Sequence, residues 1–129
     1  MGYLILRLGF GLIMAIQHGW PKLQKFSVLS TKFPDPLGVG SAASLSMTIF
    51  AELVCGVLIA VGLFTRLSSA VLIICMAVAA FVVHGGDPFA KKEMAILYLV
   101  AYVGIFVLGA GAYNVQNKII KDTGIWLLK

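Results

Sequence analysis

The sequence predicts an all-α integral membrane protein, a bundle of four hydrophobic helices with both termini on one side of the bilayer. Three observations carry this expectation. Of 129 residues, 60% are hydrophobic and 12% charged, and the mean hydropathy is +1.01, too apolar for a surface that must face water. The apolar residues are gathered in runs near the roughly 20 residues that a hydrocarbon layer about 30 Å thick requires of a helix. The short alternating segments of a membrane barrel are missing, which leaves helices to satisfy the backbone in lipid.

Four runs stand out, 3–20, 42–63, 67–83 and 94–112, in a single domain. The third is the shortest and relies on its flanks to span. The first is expected to remain as a span. It lacks a clustered basic start, and Gln17, His18 and Trp20 stand where the small residues of a signal cleavage site would be. In the connection 21–40, Leu23, Phe26, Ser30 and Phe33 recur at helical spacing with Lys22, Lys25 and Lys32 between them. This suits a short interfacial segment ended by Pro34-Asp35-Pro36. Phe64-Thr65-Arg66 reads as a tight turn, making the second and third spans antiparallel neighbours. Residues 84–92 are rich in turn formers, and the tail 113–129 mixes Lys with Ile119, Ile120, Trp126 and Leu127, as a surface-resting segment would.

The net charge of +5 points to membrane lipid, not nucleic acid, because the basic residues sit in connections and tail. Lys22, Lys25, Lys32, Lys91 and Lys92 fall on one side, side A. Arg66, Lys118, Lys121, Lys129 and the N-terminal amine fall on the other, side B. The near-equal counts leave orientation open. A weak internal echo, His18-Gly19 with Pro21 and Lys22 against His84-Gly85 with Pro88 and Lys91, suggests two parallel hairpin repeats; turns after membrane helices also favour these residues.

The ionisable residues within the runs are the candidate sites. Glu52 lies near mid-span, about 15 Å from either face, where a carboxylate must be neutral, paired or turned to a cavity. Its stripe, Ser44, Thr48, Glu52, Gly56 and Ala60, marks a helix contact face, so Glu52 is either interhelical glue or a functional group. Arg7, on a stripe with Gly11, Met14 and His18, is its expected partner across an axial gap of about 8–9 Å; alternatively it snorkels to lipid phosphates. His18 and His84 share a depth and, with Glu93 and Lys22, are expected to gather at the side A mouth. Such a group suits a quinone headgroup or proton exchange, bis-His haem, a metal with Glu93 as further ligand, or plain helix capping. Cys55 and Cys75 lie at similar depth and are either a redox pair or, without a Cys-x-x-Cys motif, small hydrophobes. Tyr98 and Tyr102 read as packing or interface anchors.

The order and spacing of these residues resemble the DoxX family over nearly the whole chain. The resemblance rests on Leu6-Arg7-Leu8-Gly9, on His18-Gly19-Trp20-Pro21-Lys22-Leu23 and on Glu52-Leu53-Val54-Cys55-Gly56-Val57-Leu58. It continues through Gly62-Leu63-Phe64-Thr65-Arg66 and His84 to Gly109-Ala110-Gly111-Ala112-Tyr113-Asn114. This last run departs from the family's ending, with Ala110 in place of Pro and Gln116 in place of Asp. The resemblance implies a four-helix membrane bundle of a bacterial inner membrane. It also implies a link to quinol oxidase, thiosulfate:quinone oxidoreductase or thiol and oxidative-stress systems. Arg7, Lys22, Glu52, Arg66 and His84 are the positions that carry over.

The expectation that follows is a quinone-linked redox membrane subunit. Glu52, Arg7 and His84 would handle protons, while His18, His84, Lys22 and Glu93 would hold the quinone. The chain has no evident redox centre, so it would be an enzyme only as a subunit served by a soluble or membrane partner. Haem is the weaker cofactor, and no metal is assigned. The alternative is a non-enzymatic scaffold or small-solute carrier; transport would require a homo-oligomer, because four short helices enclose little volume.

Overall fold

A computed structural model describes residues 1–120 and 124–129; Lys121, counted above among the side B charges, lies outside the described residues. The described residues are helical or irregular, without strands. The first long helix comprises Gly2–Ile13, a π-helical stretch Met14–Gly19 and Trp20–Gln24. Pro21 does not end it, because the wider π turn before it removes the demand for an α-type donor at that position. A short helix, Phe26–Leu29, follows. The second long helix is Ser41–Val61, the third Thr65–Val83 and the fourth Phe89–Leu108. The second and third also contain π-helical stretches, Phe50–Cys55 and Ala79–Val83.

The second and third long helices are long and apolar enough to cross a membrane. The first and fourth are of similar length but carry Arg7, Gln17 and His18, and Lys91, Lys92 and Glu93, respectively. The outer faces are apolar: Ile74 is 65% exposed and Val100 66%. A water-soluble fold would turn such residues inward, whereas lipid solvates them at no cost.

Each long helix packs on its neighbour in the chain, and the fourth returns against the first. Met14, Cys55, Ile59, Leu72, Met76, Tyr102 and Ile105, drawn from all four, form the core. Tyr98 and Tyr102 belong to this core. Their rings stack at 5.8 Å, and the Tyr102 hydroxyl donates to the Phe10 carbonyl at 3.1 Å.

The first and second helices touch backbone to backbone. A Cβ at Gly11 would lie 2.6 Å from the Gly56 carbonyl oxygen, and one at Gly19 would lie 2.6 Å from the Leu53 nitrogen. Small residues permit this approach, which sets the axial register of the pair.

The turn expected at 64–66 begins earlier. Gly62 ends the second helix in the left-handed conformation (φ 76°), and the Leu63 amide bonds back to the Leu58 carbonyl at 2.9 Å, a Schellman closure. Phe64 is also left-handed (φ 48°), and its amide donates to the Gln116 side chain at 2.9 Å. Thr65 and Arg66 thus open the third helix. The segment after the fourth helix folds back on this turn, with the Val115 and Gln116 amides bonded to the Val61 and Gly62 carbonyls.

Candidate functional site

The second helix presents its polar stripe toward the end of the first. The Ser44 hydroxyl donates to the Pro34 carbonyl at 2.9 Å and Thr48 to the Ser44 carbonyl at 3.0 Å, so both are satisfied locally. Glu52, within the π-helical stretch Phe50–Cys55, is not. Its Oε2 meets the Nζ of Lys22 at 2.5 Å. The glutamate side chain is 7% exposed and the lysine 24%. Nζ also lies 3.5 Å from the His18 carbonyl. Two opposite charges drawn out of water are far more favourable together than either alone.

The pair forms part of the wall of a cavity of about 710 Å³ between the second and third helices. Met47, Ala51, Val71, Ile74, Val78 and Val83 make its apolar walls, and Phe33, Pro34 and Leu37 line it from the long connection. Asp35 shapes that connection by accepting the Val39 and Gly40 amides at 3.0 and 2.7 Å. Cys75 also lines the cavity; it and the buried Cys55 are free thiols. An apolar chamber with a few convergent polar groups is the usual form of a small-molecule site.

His84 lines the same cavity. It follows directly on the π-helical Ala79–Val83, and its Nδ1 meets the Asp87 carboxylate at 2.8 Å. With Nδ1 donating to that carboxylate, Nε2 is the nitrogen left for a ligand. The ring hydrogen bond, the largest cause, and the nearby Lys91, His84 and Lys92 charges hold the Asp87 carboxyl below the ordinary carboxylate range.

Other candidate residues lie elsewhere. The Arg7–Glu52 pairing expected from axial spacing is not formed. Arg7 packs where a Cβ on Gly62 would collide with it, and its Nη2 donates to the Tyr113 carbonyl. Gly62 is ten residues beyond Glu52, about 15 Å along a helix, and the Gly11 and Gly19 contacts impose that register. His18 packs edge-on against Tyr98 at 5.6 Å, and it does not line the cavity. Glu93 is exposed on the fourth helix. Arg66 caps the end of the fourth helix, donating to the Phe106 and Val107 carbonyls at 3.1 and 3.3 Å, and lies 4.2 Å over the Trp126 ring. Among the described residues no group of three or more His, Cys, Asp or Glu side chains is placed to hold a metal ion.

The sequence pattern of the DoxX family matches residues 2–85. The chain belongs to the DoxX family. It is also similar to an uncharacterized protein of Haemophilus influenzae (strain ATCC 51907 / DSM 11121 / KW20 / Rd), 32% identical over 118 residues and covering 84% of each chain. No solved structure matches. The DoxX match spans every residue that lines the cavity, from Lys22 to His84, and stops short of Glu93 and the tail.

In this DoxX chain the partner of Glu52 is Lys22, which the sequence places at the side A mouth with the histidines and not against the carboxylate. Lys22 stands just past the apparent end of the first run, where a lysine is normally a headgroup contact. One signal was available. The stripe Arg7, Gly11, Met14, His18 reaches Lys22 with one more step of four, provided the helix continues through Pro21.

Proposed function

We propose that this DoxX-family membrane protein is the quinone-handling membrane subunit of a redox system in a bacterial inner membrane, built as a four-span bundle with both termini on one side. The observation that carries this reading is the cavity between the second and third helices, with the Lys22–Glu52 pair on its wall and His84 also lining it. Its volume of about 710 Å³ suits a headgroup plus the start of an apolar tail, within the range of roughly 300–1,000 Å³ common for small ligands. A quinone bound there would supply two-electron, two-proton chemistry to a chain that supplies position and protons.

The residues divide that work by place. Lys22 Nζ directs a donor at one ring carbonyl while Glu52 holds the ammonium in position. His84 Nε2 serves the opposite carbonyl, its ring oriented by Asp87. Glu52 accepts or returns a proton through the Lys22 contact. Phe33, Pro34 and Leu37 supply apolar contacts from the long connection. His18, Glu93 and Arg7 take no direct part, and electrons come from a partner protein.

The test is lipid extraction and quinone titration of the purified protein, with Glu52→Gln, Lys22→Met and His84→Ala beside wild type. Quinone should copurify with wild type, and each variant should bind roughly tenfold more weakly, the loss of one hydrogen bond to a charged or polar partner. If quinone neither copurifies nor binds, or binds all four proteins equally, the reading fails. Crosslinking to partner proteins would then test the scaffold alternative.

A further inference from the structure

The cavity proposed for quinone leaves Arg7 unused, and Arg7 is the most unusual buried group in the chain. It is 1% exposed. Nη2 donates to the Tyr113 carbonyl, but Nε and Nη1 have no hydrogen-bond partner among the described residues. Neither ion pair among the described residues involves it. A guanidinium keeps its proton in any protein setting, so burial without an anion leaves a charge uncompensated.

A second cavity, of about 440 Å³, lies against it. Arg7, Leu4, Leu8 and Leu12 of the first helix form one wall, and Val61 and the segment from Ala112 to Val115 form the others, with Lys118 alongside. Among the described residues, no acidic side chain lines this cavity. Lys118 is exposed and in neither ion pair. Two cations therefore line a hollow to which no described residue contributes a negative group.

We propose that this cavity binds the phosphate group of an anionic membrane lipid. Arg7 offsets the charge from the inner wall, Lys118 contacts the phosphate from the tail, and an acyl chain runs along Leu8 and Leu12, each 40% exposed. Depth supports a lipid over a free anion. Arg7 packs against Gly62, the residue that ends the second helix, and helix ends lie at the level at which headgroups meet acyl chains. A leucine wall serves a lipid and does nothing for inorganic phosphate.

The experiment uses the full chain in neutral detergent, followed by thermal unfolding and native mass spectrometry. It is titrated separately with short-chain phosphatidylglycerol, short-chain phosphatidylcholine and inorganic phosphate. Phosphatidylglycerol should raise the unfolding temperature of wild type and remain bound in the mass spectrum, with phosphatidylcholine weaker because its choline meets two cations. In Lys118→Glu the phosphatidylglycerol response should weaken roughly tenfold or more, as expected when an attractive surface charge is reversed. Arg7→Gln should abolish it. Should Arg7→Gln fail to fold, Lys118→Glu, a change at an exposed position, still decides the matter. An equal response to inorganic phosphate, lost in Lys118→Glu, would support the same anion site with free phosphate as its source. Equal phosphatidylglycerol responses from wild type and Lys118→Glu would overturn the proposal.

Discussion

Glu52 and Lys22 illustrate how the cost of a charge in an apolar setting selects its partner. The carboxylate is nearly sealed, and removing only the lysine would strand it. Lys22→Met should therefore cost about 3–5 kcal/mol of stability, whereas the double change Lys22→Met with Glu52→Gln should recover much of that loss. A double-mutant cycle by thermal unfolding in detergent measures the difference; additive losses would show that the two side chains are not coupled. At Asp87 the effect is one of pH. Its folded-state carboxyl titrates below the usual value near 3.9, so its bond to His84 is fully present above that value. The bond is lost as pH falls through the lowered native range. A carboxyl titration followed by NMR should show Asp87 losing its charge at a lower pH than an ordinary aspartate, and Asp87→Ala, which leaves no acceptor, should remove the His84 ring constraint at every pH.

At the scale of helices, the contact between the first and second sets the Lys22–Glu52 part of the site. Gly9 and Gly11 are two residues apart, yet a Cβ on Gly9 meets nothing within 4 Å while one on Gly11 meets the backbone of the second helix. Gly9→Ala should thus be neutral or stabilise by about 0.5–1 kcal/mol through the helix preference of alanine. Gly11→Ala should destabilise by about 1–3 kcal/mol, the usual cost of forcing volume into a packed contact. Because Gly11 and Gly19 set the register that brings Lys22 to Glu52, Gly19→Ala should weaken ligand binding as well as stability. The three π-helical stretches belong to the same scale. Two of them bear on the cavity, one containing Glu52 and one immediately preceding His84, where the wider turn shifts the side chains that follow; the third contains His18, which lies off the cavity.

For the molecule as a whole, the tail closes the end of the fold opposite the cavity. Arg66 satisfies carbonyls left open at the end of the fourth helix and holds Trp126, whose ring also packs against Phe106 at 5.2 Å. Trp126→Ala removes a cation–π contact worth about 0.5–1 kcal/mol, so limited proteolysis should release the tail faster with little change in unfolding temperature. Arg66→Ala uncaps the helix as well and should lower that temperature, with Arg66→Lys only a partial rescue because an ammonium lacks the planar fork.

Local pattern determined a great deal about this protein. Hydropathy runs and residue spacing led to the all-helical class, the membrane character and the DoxX resemblance, and the cost of charge in lipid singled out Glu52, Arg7 and His84. The helical class, the membrane character and the family resemblance hold because hydropathy and helical period act within one segment. Only the tertiary structure decided which charge met which. Equal rises of 1.5 Å per residue made Arg7 look close to Glu52, but that assumed an axial register between helices, and register depends on backbone contacts at Gly11 and Gly19. Those contacts carried Arg7 to the Gly62 turn and, with the helix continuing through Pro21, brought Lys22 to the carboxylate.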